Sequence, residues 1–123
     1  MICVSHNGEV REVKYDGDLN TIYKEGGYEC FDIILLRHRL VMFVDYEGWY
    51  KDGWENRVNW KAIYLRLNQC MERSKDAWDA FNTRPPLIIG NVCILAIDAK
   101  GRSAEPSEEQ RKFILELLGE EVA

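Results

Sequence analysis

Three short stretches of the sequence carry residue types able to hold a phosphorylated ring. Phe81, Asn82 and Arg84 close a predicted helix, Gly90-Asn91 interrupts an apolar run, and Arg111 and Lys112 open the last predicted helix. An asparagine within an apolar strand is costly unless its amide finds partners, so Asn91 must bond either backbone or a ligand. The glycine beside it lets another chain segment or a ligand approach closely. Together these groups offer an aromatic face for stacking on a base, an amide for its edge, guanidinium for phosphate and helix N-terminal amides. The plainer alternative has Asn91 fixing a bulge through backbone bonds and Arg111 as a solvated helix residue, and the sequence leaves both readings open.

Other chemistries find less support. Nucleophilic catalysis of the Ser-His-Asp or Cys-His kind needs a histidine that reaches a nucleophile. Only His6 and His38 exist, and both fall in predicted hairpin turns where a solvent-exposed residue is the simpler reading. Asp76 with Asp79 reads as a solvated helix face, and Glu108 with Glu109 as first-turn acids that favour the helix dipole. No catalytic residue is assigned. Gly26-Gly27 follows a predicted helix and lacks the surrounding pattern of a phosphate loop, so it reads as a helix stop. Cys3, Cys30, Cys70 and Cys93 are widely spaced with no C-x-x-C pair, which supports neither a zinc site nor any other metal or cofactor. Cys3, Cys30 and Cys93 read as small hydrophobes in apolar, strand-like stretches of a reduced, cytosolic protein.

The elements that must position these groups follow from periodicity and punctuation. Residues 1–15 read as a hairpin around the Asn7-Gly8 dipeptide, which suits the central positions of a type I′ turn. Asp18 caps a short helix over 19–25 that Gly26-Gly27 ends. Residues 28–36 and 40–46 form a second hairpin with Arg37-His38-Arg39 at its tip, in solvent. The aromatic segment 49–54 is one more short strand or a surface loop. Trp60, Tyr64, Leu67, Met71, Ser74, Trp78 and Phe81 recur at steps of four and three, which predicts a long amphipathic helix over 59–82 that Arg84-Pro85-Pro86 stops. A buried strand is expected over 87–97, and Ser107 with Gln110 forms a capping box for a last helix over 108–118 that ends at Gly119. The expected fold is one α+β domain over residues 1–123, with an antiparallel or mixed sheet built from hairpins, a long amphipathic helix and a C-terminal helix, the helices on one face.

Composition bounds the function classes. Hydrophobic residues at 46% and charged residues at 30% describe a chain that folds around a core. A formal net charge of −5 argues against binding long nucleic acid, which needs a broad basic face, but leaves room for a small anion. The longest unbroken apolar run, 92–97, is far too short to cross a bilayer, and no leader peptide is visible. Trp60, Tyr64 and Trp78 read as core or subunit interface. Trp49, Tyr50 and Trp54 read as an exposed apolar patch able to support self-association or docking on another protein.

The opening hairpin, the helix ending in Glu25-Gly26-Gly27-Tyr28 and the stretch Val44-Asp45-Tyr46-Glu47-Gly48 carry a family resemblance. So do the Asn56-Arg57 turn before a helix, the strand Leu87-Ile88-Ile89-Gly90-Asn91-Val92 and the capped terminal helix. On these motifs the chain is similar to a group of small phage and prophage proteins. Within that group it most resembles the first family of Thoeris anti-defence proteins, sponges that capture cyclic ADP-ribose signals made by bacterial TIR enzymes. The resemblance implies sequestration without cleavage in the cytoplasm of the bacterial host, with a homo-oligomer that is a dimer or a higher hexamer. In some members it implies a separate site for cyclic trinucleotides. It further implies that Phe81 stacks on the ligand, that Asn91 bonds it, and that Arg111, with Arg102 or Arg84, meets its phosphates. A second reading of the residues is a protein that inhibits a host factor through its exposed aromatic and acidic surface.

Overall fold

The computed structural model describes residues 1–70 and 87–121. Among the described residues, six strands form one wholly antiparallel sheet: β1 (Ile2–Val4), β2 (Val10–Glu12), β3 (Phe31–Leu35), β4 (Leu40–Asp45), β5 (Val92–Ile97) and β6 (Ser103–Ala104). Their order is β2-β1-β5-β4-β3, with β6 alongside the end of β5. The helices are α1 (Leu19–Gly26), α2 (Trp60–Cys70) and α3 (Glu108–Leu117). The α+β class read from the sequence is the one observed.

The helices do not share one face. Ile22 of α1 packs with Met1, Cys3, Val41, Phe43, Cys93 and Leu95 on one side of the sheet. Ala62, Ile63 and Leu65 of α2, with Ile114 and Leu115 of α3, pack on Ile2, Val4, Met42, Val92 and Ile94 on the other. The physical reason lies in the central strands. Leu40–Phe43 and most of β5 are apolar at every position and buried at every position, so both faces need a cover.

Local chemistry sets the joints. Asp18 accepts from the Asn20 N–H to start α1, and Gly27 ends it in the left-handed region. Ser107 and Gln110 make the reciprocal capping box at α3 as the sequence predicted. The first hairpin turns differently from its expectation. Gly8 N–H donates to the Ser5 carbonyl at 3.0 Å and Ser5 N–H to the Glu9 carbonyl at 2.8 Å. Gly8 alone takes a positive φ, 93°, so the loop is His6-Asn7-Gly8 with a glycine bulge rather than a two-residue turn at Asn7-Gly8. The aromatic segment is neither strand nor plain loop but two short 3-10 helices, Gly48–Tyr50 and Trp54–Arg57.

The described part of the long helix also sits in a different rotational phase. Trp60 and Tyr64, expected in a core or an interface, are both more than half exposed in the single chain. Ala62, Ile63, Leu65 and Leu67 are buried instead. Leu67 was legible in the stripe, while Trp60 and Tyr64 stand outside this chain's own core. Cys3 and Cys93 are buried as expected, directly opposed on β1 and β5 with sulfurs 3.9 Å apart, whereas Cys30 is exposed. No helix among the described residues is long and apolar enough to cross a membrane.

Candidate functional site

Asn91 borders a cavity of about 160 Å³ where the start of β5 meets the end of α1. The walls come from five places in the chain: His6 in the first hairpin turn, Gly26-Gly27, Asp45 at the end of β4, Lys51 and Arg57 from the segment of 3-10 helices, and Gly90-Asn91. Gly90 has a φ of 86°, and nothing stands within 4 Å of the place its Cβ would occupy. The glycine therefore serves both the left-handed backbone and an open approach to the cavity.

The anchoring of this rim is built from main-chain groups. Gly90 N–H donates to the Arg57 carbonyl and Asn59 N–H to the Ile88 carbonyl, both at 2.7 Å, with a bridge between Val58 and Ile89. This short antiparallel contact carries Arg57 to Asn91. Asn59, fully buried, locks the arrangement: its Nδ2 donates to the carbonyls of Val4 and Gly90, and its Oδ1 accepts from the Ala62 N–H at the start of α2. From the opposite side Tyr28 places its hydroxyl against the carbonyls of Phe43 and Asn91. Burial pushes the Tyr28 phenol well above its ordinary titration range, so it stays a neutral donor.

The side chains divide the polar work. Asn91 Oδ1 accepts from the His6 N–H at 3.2 Å. Lys51 Nζ holds the Asp45 carboxylate at 2.7 Å, and that carboxylate is only 5% exposed. Arg57 lines the cavity, and its Nη2 is buried with no hydrogen-bond partner among the described residues. A buried cationic donor left unpaired is unfavourable, and an anion nearby is what would relieve it.

The residues singled out from the sequence do not converge here. Asn91 is at the cavity. Arg102 lies past the other end of β5, about 20 Å along the strand by its rise, where it pairs with Asp98 at 3.2 Å. Arg111 is carried by α3 on the opposite face of the sheet, bound to Glu12 of β2 and to Glu108 at 3.2 Å. That pairing holds the Glu12 carboxyl below its usual range. Phe81 and Arg84 lie outside the described residues. The cations that line the cavity are Lys51 and Arg57 instead. Arg57 stood in the Asn56-Arg57 turn of the sequence without a role, and Lys51 was hidden among aromatics. His6 was read as a solvent-exposed turn residue, yet it lines this wall.

Elsewhere, Tyr46, Trp49 and Tyr50 are exposed, with Trp49 stacked at a tilt on Trp54 at 4.8 Å between ring centres. His38 packs edge-on against Phe113 rather than facing a nucleophile. The described residues thus form a small α+β domain with a polar, cation-lined cavity at Gly90-Asn91, just ahead of β5 rather than inside a strand running from 87. No protein-family model matches it, and no curated protein or solved structure is detectably similar to it.

Proposed function

We propose that this protein sequesters a phosphorylated cyclic nucleotide, of the cyclic ADP-ribose kind, without cleaving it, and so blocks a bacterial anti-phage defence from within the host cytoplasm. The observation that carries the reading is the cavity beside Asn91, where Arg57 and Lys51 stand with an asparagine at a glycine break. The choice of ligand rests on the short motifs, among them Glu25-Gly26-Gly27-Tyr28 and Leu87-Ile88-Ile89-Gly90-Asn91-Val92, in which the chain resembles the first family of Thoeris anti-defence proteins. At about 160 Å³ the cavity falls below the roughly 300–1,000 Å³ of pockets that enclose a whole small molecule. It takes a phosphate, and the rest of the nucleotide lies outside it, against a second copy of the chain in the dimer or hexamer. Tight capture of this kind depends on a preformed site with charge-assisted bonds.

Isothermal titration with a glycocyclic ADP-ribose isomer tests the proposal. Saturable heat, followed by recovery of intact ligand after heat denaturation, is the expected result. Absence of heat ends it, and recovery of a hydrolysed product replaces sequestration by an enzyme.

A second reading rests on the exposed Tyr46, Trp49 and Tyr50, an apolar patch fit for docking on a host protein. It requires Trp49→Ala to abolish anti-defence activity while Asn91→Leu leaves it intact.

A further inference from the structure

We infer that Arg57 is the phosphate anchor of the Asn91 cavity and that the cavity selects a singly charged phosphodiester over a doubly charged terminal phosphate. This rests on the reading above only in taking the ligand to be phosphorylated.

The selection follows from a charge count around the walls. Lys51 and Asp45 cancel as a direct pair at 2.7 Å. Gly26 and Gly27 bring the C-terminal end of α1 to the wall, worth about half a negative charge. Arg57 contributes one positive charge. At pH 8 these groups sum to about half a positive charge. A phosphodiester, one negative charge, leaves about half a charge uncompensated. A terminal phosphate monoester, close to two charges at that pH, leaves about one and a half, the larger imbalance.

The state of Arg57 points the same way. Its buried Nη2 lacks a partner among the described residues, whereas Lys51 already has one. Rotation of the guanidinium toward the cavity gives Nη2 a phosphate oxygen, and the planar fork meets two oxygens of one phosphate at once. The volume, about 160 Å³, corresponds to roughly five waters' share of liquid, enough for a phosphate group and no more of a nucleotide. Neither Gly27 nor Gly90 carries anything that would obstruct the entry.

The test titrates the protein at pH 8 and constant ionic strength with dimethyl phosphate and with methyl phosphate, reading the NMR resonance of the Arg57 Nε–H. Dimethyl phosphate is expected to shift that resonance saturably and to bind more tightly than methyl phosphate. Arg57→Gln, with its fold checked by circular dichroism, is expected to weaken dimethyl phosphate by about tenfold or more, the effect of losing one charged hydrogen bond. Arg57→Lys, which keeps the charge but not the fork, falls between. Equal or tighter binding of methyl phosphate overturns the selection, and unchanged binding in a folded Arg57→Gln overturns the anchor. The two proposals separate cleanly. If dimethyl phosphate and a linear dinucleotide bind but the cyclic ADP-ribose isomer does not, the anchor stands and the sequestration reading falls. If the cyclic ligand binds wild type and Arg57→Gln alike, the anchor falls and sequestration stands.

Discussion

Asn59 donates its side-chain amide to the Gly90 carbonyl at 2.9 Å, and through this one bond the start of α2 fixes the rim of the cavity. The same amide serves the Val4 carbonyl at 3.0 Å while its oxygen caps α2 through Ala62 N–H. Asn59→Ala removes the cap, worth about 1 kcal/mol, and leaves two buried carbonyls without a donor, each worth about 1–3 kcal/mol. We expect a loss of about 3–7 kcal/mol in urea unfolding. A loss well under that range would show that water takes over these bonds and that the rim does not depend on Asn59.

The contrast between Asn59 and Asn91 shows how much was legible beforehand. Hairpins, the capped last helix and the α1 stop follow from local signals, and all of them formed. Asn91 was legible because an amide in an apolar run demands an explanation. Asn59 was not, since an asparagine ahead of a helical pattern reads as an ordinary surface residue, and only the long-range pairing of 57–59 with 88–90 buries it. Lys51 and Arg57 were missed for the same reason: their position relative to Asn91 depends on that pairing, which no local pattern announces. Arg111 was misplaced because sequence order says nothing about which face of the sheet a helix covers.

Tyr28 lies across Gly26 so closely that a Cβ there would overlap its ring. Gly26→Ala therefore forces the ring away and breaks its hydroxyl contacts to Phe43 and Asn91. The overlap alone costs about 1–3 kcal/mol, and Tyr28→Phe, which loses only the hydroxyl, is expected to cost about 1 kcal/mol. Chemical denaturation of both variants and of the double variant checks the coupling. Strict additivity would mean that alanine is accommodated without moving Tyr28.

The tip of the second hairpin holds two consecutive non-glycine residues at positive φ, His38 at 61° and Arg39 at 59°. Each pays a steric penalty of about 1–2 kcal/mol in that region. His38 is retained by contacts, its carbonyl accepting from Gln110 Nε2 at 2.7 Å and its ring packing on Phe113. Arg39 has an exposed side chain, so Arg39→Gly relieves the strain at little loss. A gain of up to about 1 kcal/mol in stability is expected after the added flexibility of the unfolded chain is counted. Destabilisation in calorimetry would show that the arginine side chain contributes to the folded state.

Arg111 separates the expectation drawn from sequence from the geometry. If it met the ligand phosphate, Arg111→Gln would abolish capture. Bound to Glu12 on the face of the sheet opposite the Asn91 cavity, it should leave ligand affinity unchanged and alter acid stability instead. The sign follows from Glu12, whose folded carboxyl is held below its ordinary value by the Arg111 bond. Its contribution is present above the unfolded carboxylate pKa of about 4.3 and is lost as pH falls through the lower folded value. The stability difference between wild type and Arg111→Gln should thus exist at neutral pH, shrink with added salt because the pair is exposed, and close under acid conditions. Melting curves across pH, set beside titration of both proteins with the cyclic ligand, read the two consequences together. A lost affinity with an unchanged acid limb would return Arg111 to the binding site, and would mean that the ligand reaches both faces of the sheet, as it does only where two copies of the chain meet.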